Sequence, residues 1–167
     1  AIDRAVEDGC DLINLSLGGG PSDEAIESAI QHARSQGSLV IAAAGNERRQ
    51  PVSFPASYSL SLAVSAMGRK GTYPPGTTHR GEVASPYGTD AENFVAAFSN
   101  VGPELDLTAP GVGIISTYPG GHAALDGTSM SCPAAVGAAA ALLSTRPELL
   151  KLPRGSERSQ AMARAVL

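Results

Sequence analysis

The chain has 167 residues, enough for one domain with a substantial core. Hydrophobic residues make up 43% and charged residues 17%, a globular composition, and the formal net charge of -4 argues against nucleic acid as a partner, because phosphate binding needs a basic face. The most apolar stretch, residues 134–143, is dominated by Ala and falls short of the ~18 residues that span a bilayer, so no membrane partner is expected.

Taken from its start, Ala1 to Asp8 reads as a helix with an apolar stripe of Ala1, Ile2, Ala5 and Val6, stopped by Gly9. Asp11 to Leu17 reads as a buried strand, and Gly18-Gly19-Gly20-Pro21 breaks it. Ser22 is the expected cap of the next helix, with Asp23 and Glu24 favoured by the positive end of its dipole. Ala25, Ile26, Ala29, Ile30 and Ala33 form its expected inner face, and Gly37 ends it. Ser38 to Ala44 is a second buried strand. Continuous apolar strands around a helix predict a parallel sheet with a right-handed crossover.

Leu60 to Met67 reads as a third strand. Residues 68–97 are polar, contain Gly and Pro, and lack periodicity, which predicts a surface insertion. Leu105 to Thr108 and Gly113 to Tyr118 are short strands split by Ala109-Pro110-Gly111. Ser131 to Ser144 is an Ala-rich helix ending before Pro147, with Pro133 placed in a first turn that needs no donor. A last amphipathic helix starts near Ser156. The chain is expected to form one α/β domain. Cys10 and Cys132 have no metal-ligand spacing and no CxxC pattern; two lone core thiols are expected, a disulfide being the alternative. Both ends fall inside helical patterns, so they read as cut ends and no leader can be judged; localisation stays open.

Three segments carry chemistry. In Asp126-Gly127-Thr128-Ser129-Met130-Ser131-Cys132-Pro133 a serine stands where a loop turns into an apolar helix, with backbone amides and the helix dipole at hand to stabilise negative oxygen. On this segment alone the same serine, or Thr128, reads first as a plain helix cap, because Ser and Thr are common there. The segment does not fit the G-x-S-x-G elbow, because its fifth position is Ser131. Ala42-Ala43-Ala44-Gly45-Asn46 puts a carboxamide at the carboxyl end of a buried strand, where open parallel sheets bind ligands; a turn asparagine is the alternative. Ser16-Leu17-Gly18-Gly19-Gly20 precedes a helix but has no Lys after the glycines, and Asp23 and Glu24 would repel phosphate. An open backbone edge that pairs with an extended peptide suits it better.

SLGG, AAAGN and GTSM followed by a small residue and Pro, in that order, closely resemble the subtilase family of serine proteases. Phe54-Pro55-Ala56, the run from Phe98 to Asp106, Thr108-Ala109-Pro110-Gly111 and Ser116-Thr117 extend the similarity over about residues 1–147. The resemblance implies a three-layer αβα fold with a mainly parallel sheet, subtilisin-like and incomplete on its N-terminal side. It implies Ser129 as nucleophile, Asn46 as oxyanion donor, and a peptide cleft lined by Ser16, Leu17 and Gly18 on one side and Ala43, Ala44 and Gly45 on the other. Glu47 would sit near the base of the pocket for the residue preceding the scissile bond, and Phe54-Pro55 is a candidate cis bond. The family usually has Ala before Ser or Thr ahead of the helix Pro, then His-Val; here Ser131-Cys132-Pro133-Ala134-Ala135 stands instead.

The resemblance also implies a polypeptide substrate, no cofactor for chemistry and, in many members, calcium held by loop carbonyls and secretion; no carboxylate cluster here has the spacing of a dedicated calcium site. Its triad runs Asp, His, Ser along the chain, and the match begins downstream of the first two. None of His32, His79 and His122 is a good substitute, although His122 lies only seven residues before Ser129. The expectation is a serine endopeptidase fragment with the nucleophile and oxyanion hole but without independent activity, needing the N-terminal part of its domain or self-associating through an exposed sheet edge. A non-catalytic peptide-binding module and a purely structural fragment are the alternatives.

Overall fold

The computed structural model describes residues 1–73, 76–83 and 90–167. Its sheet has β1 (Leu12–Leu15), β2 (Leu39–Ala43), β3 (Ser61–Arg69) and β5 (Leu105–Pro110), all parallel, with β4 (Asn93–Val95) antiparallel to the end of β3. β1 pairs only with β2, so its other edge is open among the described residues. A separate hairpin of β6 (Ile114–Tyr118) and β7 (Gly121–Leu125) follows. The helices are α1 (Ile2–Glu7), α2 (Glu24–Ser35), α3 (Thr128–Ser144), α4 (Pro147–Leu150) and α5 (Ser156–Val166).

The alternation of β2 divides the molecule into layers. Leu39, Ile41 and Ala43 face a core completed by Cys132, Ala135, Ala139 and Leu143 of α3 and Met162 and Ala163 of α5. Val40, Ala42 and Ala44 face the other way, onto Ile30 and Ala33 of α2, with Val52, Ala56 and Tyr58. Every β2 residue is buried, which is why that strand reads as one apolar run. This is the three-layer α/β arrangement, with a mainly parallel sheet.

Several local expectations change. Asp23, not Ser22, caps α2, accepting from the amides of Ala25 and Ile26 at 2.8 and 3.1 Å. Of the inner face predicted for α2, Ile30 and Ala33 are buried while Ala25 and Ile26 stay exposed. They line an apolar hollow of about 290 Å³ beside β1, with Ala1, Ile2, Leu15 and Leu17, because no described residue covers that side. The 68–97 stretch, of which 74–75 and 84–89 lie outside the described residues, contributes β4 and buries Phe94 and Ala96 with Ala66, Phe98 and Val112. The segment around His122, whose glycines predict a turn, is instead a strand over Gly121–Leu125 whose side chains are mostly exposed, so it carries no burial pattern to read. Cys132 is a core thiol, but Cys10 is exposed; both are free. The Phe54–Pro55 bond is cis.

α3 begins at Thr128 rather than Ser131. Pro133 therefore lies beyond the first turn, and the carbonyl of Ser129, four residues earlier, loses its helical donor. The Ser16 hydroxyl replaces it, donating to Ser129 O at 2.8 Å.

Candidate active site

The carboxyl ends of β1 and β2 and the amino end of α3 converge on a cleft of about 240 Å³. Leu17, Gly18, Ala43, Gly45, Asn46, Glu47, Thr128 and Ser129 line it. Of the residues expected there, Ser16 and Ala44 do not form the wall. Ser16 is hydrogen-bonded to Ser129. Ala44 is buried, and its carbonyl is engaged by Ser53 N, Ser53 Oγ and Asn100 Nδ2.

Ser16 and Ser129 lock reciprocally: Ser129 Oγ donates to Ser16 O at 3.3 Å, while Ser16 Oγ donates to Ser129 O. Asn14 Nδ2 donates to Ser16 Oγ at 2.9 Å, so that hydroxyl is oriented from both sides. The carbonyl freed by a proline in α3 thus takes a polar partner just after β1, and the two together fix the backbone of the serine. No histidine hydrogen bonds to Ser129 among the described residues. His32 and His122 are exposed, and His79 pairs with Asp126.

Asn46 is oriented by Thr128. Its Oδ1 accepts from Thr128 N and Thr128 Oγ1, both at 2.9 Å, and Thr128 Oγ1 in turn accepts from Gly45 N at 3.2 Å. With the carbonyl side committed, the Nδ2 side is the free donor face, without an intramolecular partner among the described residues. Ser129 N also has no partner there, as befits an amide in the first turn of a helix. Two donors and a hydroxyl therefore sit together where a helix dipole favours developing negative charge. Gly45 is required at this corner: its φ is 106°, and a Cβ would lie 2.4 Å from Asn100 Nδ2 and 2.5 Å from Glu47 Oε2.

Glu47 is held by Asn100, whose Nδ2 donates to Glu47 Oε2 at 2.5 Å and whose Oδ1 accepts from Glu47 N at 2.9 Å. Asn100 is 1% exposed. Thr128, readable in the sequence only as a helix cap, and Asn100, unremarked inside a quoted motif, are positioning residues. Their role depends on partners more than 50 residues away. Burial pushes the Cys132 thiol beside the site up to about 11; it donates to Ile41 O and stays a neutral packing group. No three His, Cys, Asp or Glu side chains are grouped to hold a metal ion among the described residues. No helix there is long and apolar enough to cross a membrane.

The sequence profile described as Subtilase family matches residues 1–166. Subtilisin NAT of Bacillus subtilis subsp. natto is 39% identical over 151 residues, covering 87% of this chain and 34% of the relative. Subtilisin DY of Bacillus licheniformis is 37% identical over 153 residues, covering 89% and 48%. Among solved structures, the prenylagaramide maturation protease PagA superposes with a TM-score of 0.70 at 31% identity, over 92% of this chain and 51% of that one. The self-cleaved protease domain of PatA gives 0.71 at 30%, over 99% and 60%. The chain spans between about a third and a half of the length of these curated relatives. With profile, sequence and superposition in agreement, the chain belongs to the subtilase family.

Proposed function

We propose that this chain carries the acyl-accepting half of a serine endopeptidase site, with Ser129 as nucleophile and Asn46 Nδ2 and Ser129 N as oxyanion donors. The observation that supports this best is the commitment of Asn46 Oδ1 to Thr128, which leaves a carboxamide N–H beside the serine in one cleft. An extended peptide lies between Leu17 and Gly18 on one side and Ala43 and Gly45 on the other, with Glu47 facing the side chain that precedes the scissile bond.

A base takes the proton from Ser129 Oγ, and the oxygen attacks the peptide carbonyl. The resulting oxyanion accepts hydrogen bonds from Ser129 N and Asn46 Nδ2. Collapse breaks the C–N bond; the amine leaves with the proton, and water then releases the acyl group from Ser129. The base is a histidine with its aspartate, supplied by residues outside these 167 and seated along the open edge of β1. The 167-residue chain alone therefore has negligible turnover.

In the full-length protein a fluorophosphonate should form its adduct on Ser129. Ser129→Ala should abolish the adduct and cut peptide hydrolysis by about a million-fold, the magnitude known from subtilisin. An adduct on another residue, or hydrolysis surviving the substitution, would sink the assignment. An inert Ser129 with tight peptide binding would instead make this a non-catalytic peptide-binding module, and robust turnover by the 167-residue chain would refute its dependence on a base from elsewhere.

A further inference from the structure

One close pairing of ionisable side chains has no part in the acyl-transfer scheme. His79, in the 3-10 turn Thr78–Glu82, brings Nδ1 to 2.5 Å from Asp126 Oδ2. Both side chains are largely enclosed, at 13% and 18% exposure. The other oxygen of Asp126 accepts from Gly113 N at 2.6 Å. Gly113 and Asp126 flank the β6–β7 hairpin, in which Ile114 pairs with Leu125, so this carboxylate closes the base of the hairpin. The next amide, Gly127 N, donates to Gly111 O at 2.9 Å. Thr128 and Ser129 follow directly.

The imidazole is backed by a second contact. The Tyr73 ring lies 6.2 Å from that of His79 and 6.4 Å, edge-on, from that of Phe94, which is buried with Ala66, Ala96, Phe98 and Val112. A continuous line of contacts thus runs from that core through Tyr73, His79 and Asp126 to the chain that delivers the nucleophile. The hairpin itself is mostly exposed, with Ile115 at 74% and Tyr118 at 56%.

We propose that His79 is a positioning residue: by holding Asp126 it sets the base of the hairpin and with it the turn through which Ser129 meets its oxyanion donors. Its effect on rate rests on the acyl-transfer reading; its effect on the loop does not. A misplacement near 1 Å at a reacting group costs up to about a hundred-fold in rate. Loss of one hydrogen-bonded anchor loosens a loop by about ten-fold.

The test uses the full-length protein with His79→Ala and His79→Asn, since the Asn amide can occupy the place of Nδ1. Amide exchange across residues 111–128 and steady-state kinetics are read together. His79→Ala should speed exchange at Gly113 and Gly127 by about ten-fold and lower kcat by about 10- to 100-fold with KM little changed, and His79→Asn should restore both. Unchanged exchange overturns the proposal whatever the kinetics. Faster exchange with unchanged kcat overturns the positioning role. A wild-type enzyme without turnover would contradict the acyl-transfer reading instead, and exchange would then decide alone whether His79 holds the loop.

Discussion

The two ends of the parallel sheet are built on opposite plans. At the amino ends of β1 and β2, Arg158 of α5 is 3% exposed and donates to Gly37 O at 2.7 Å, Asp11 Oδ1 at 2.7 Å and Leu150 O at 3.3 Å. Arg154 adds bonds to Asp11 and Gly9 O, and Ser38 Oγ reaches Cys10 O at 2.7 Å. Arg158 Nε is buried without a partner among the described residues. At the carboxyl ends polar groups are left uncommitted: among the described residues Ser129 N and Asn46 Nδ2 have no internal acceptor, and a cleft opens before them. Long side chains seal one end; glycines and a helix terminus keep the other open. A sealed end contributes to stability, and an open one can contribute to chemistry.

That contrast can be broken from either side. Asn46→Leu keeps the size of the side chain but removes its donor, and in the full-length protein kcat should fall by about a hundred- to a thousand-fold, the magnitude known from subtilisin. A smaller fall than about ten-fold would mean that Asn46 is only a turn residue. At the sealed end, Arg158→Met should cost about 3 kcal/mol in urea unfolding, the low end for a broken buried pair because Asp11 is 40% exposed on its side chain, and kcat should hold. A cost below about 1 kcal/mol would show that the clamp is decorative.

The two cysteines sharpen the comparison with the smallest effect. Cys10, exposed at the sealed end, should react with a thiol reagent in the native state, while Cys132 should react only after unfolding. Because folding raises the Cys132 thiol from 9.0 to about 11, its contribution to stability is complete below 9.0 and is lost as pH rises through about 11. Cys132→Ala should remove that component of the alkaline decline in unfolding free energy. Native labelling of both thiols would contradict the buried placement.

Much of this was legible because the interactions are local or periodic. β2 announced itself as a continuous apolar run, since both of its faces are covered. The positions of Ser129 and Asn46 at the edges of elements followed from the breaks around them. The differences have separate causes. α3 starts three residues early because its first amide is satisfied by Asn46, 82 residues away in sequence. β7 and Phe94 went unread because one has too little burial to pattern and the other opens a short apolar run at the end of a polar, aperiodic stretch.

Residue type and spacing along the chain are sufficient to specify a parallel α/β sheet, a serine at a helix start and a carboxamide at a strand end, because propensity and periodic burial act over a few neighbours. Which way that carboxamide turns, which hydroxyl takes over the carbonyl left by Pro133, and which histidine reaches Asp126 were settled only on folding. Each depends on a hydrogen bond between residues dozens of positions apart, and such a bond has no periodicity to leave in a sequence.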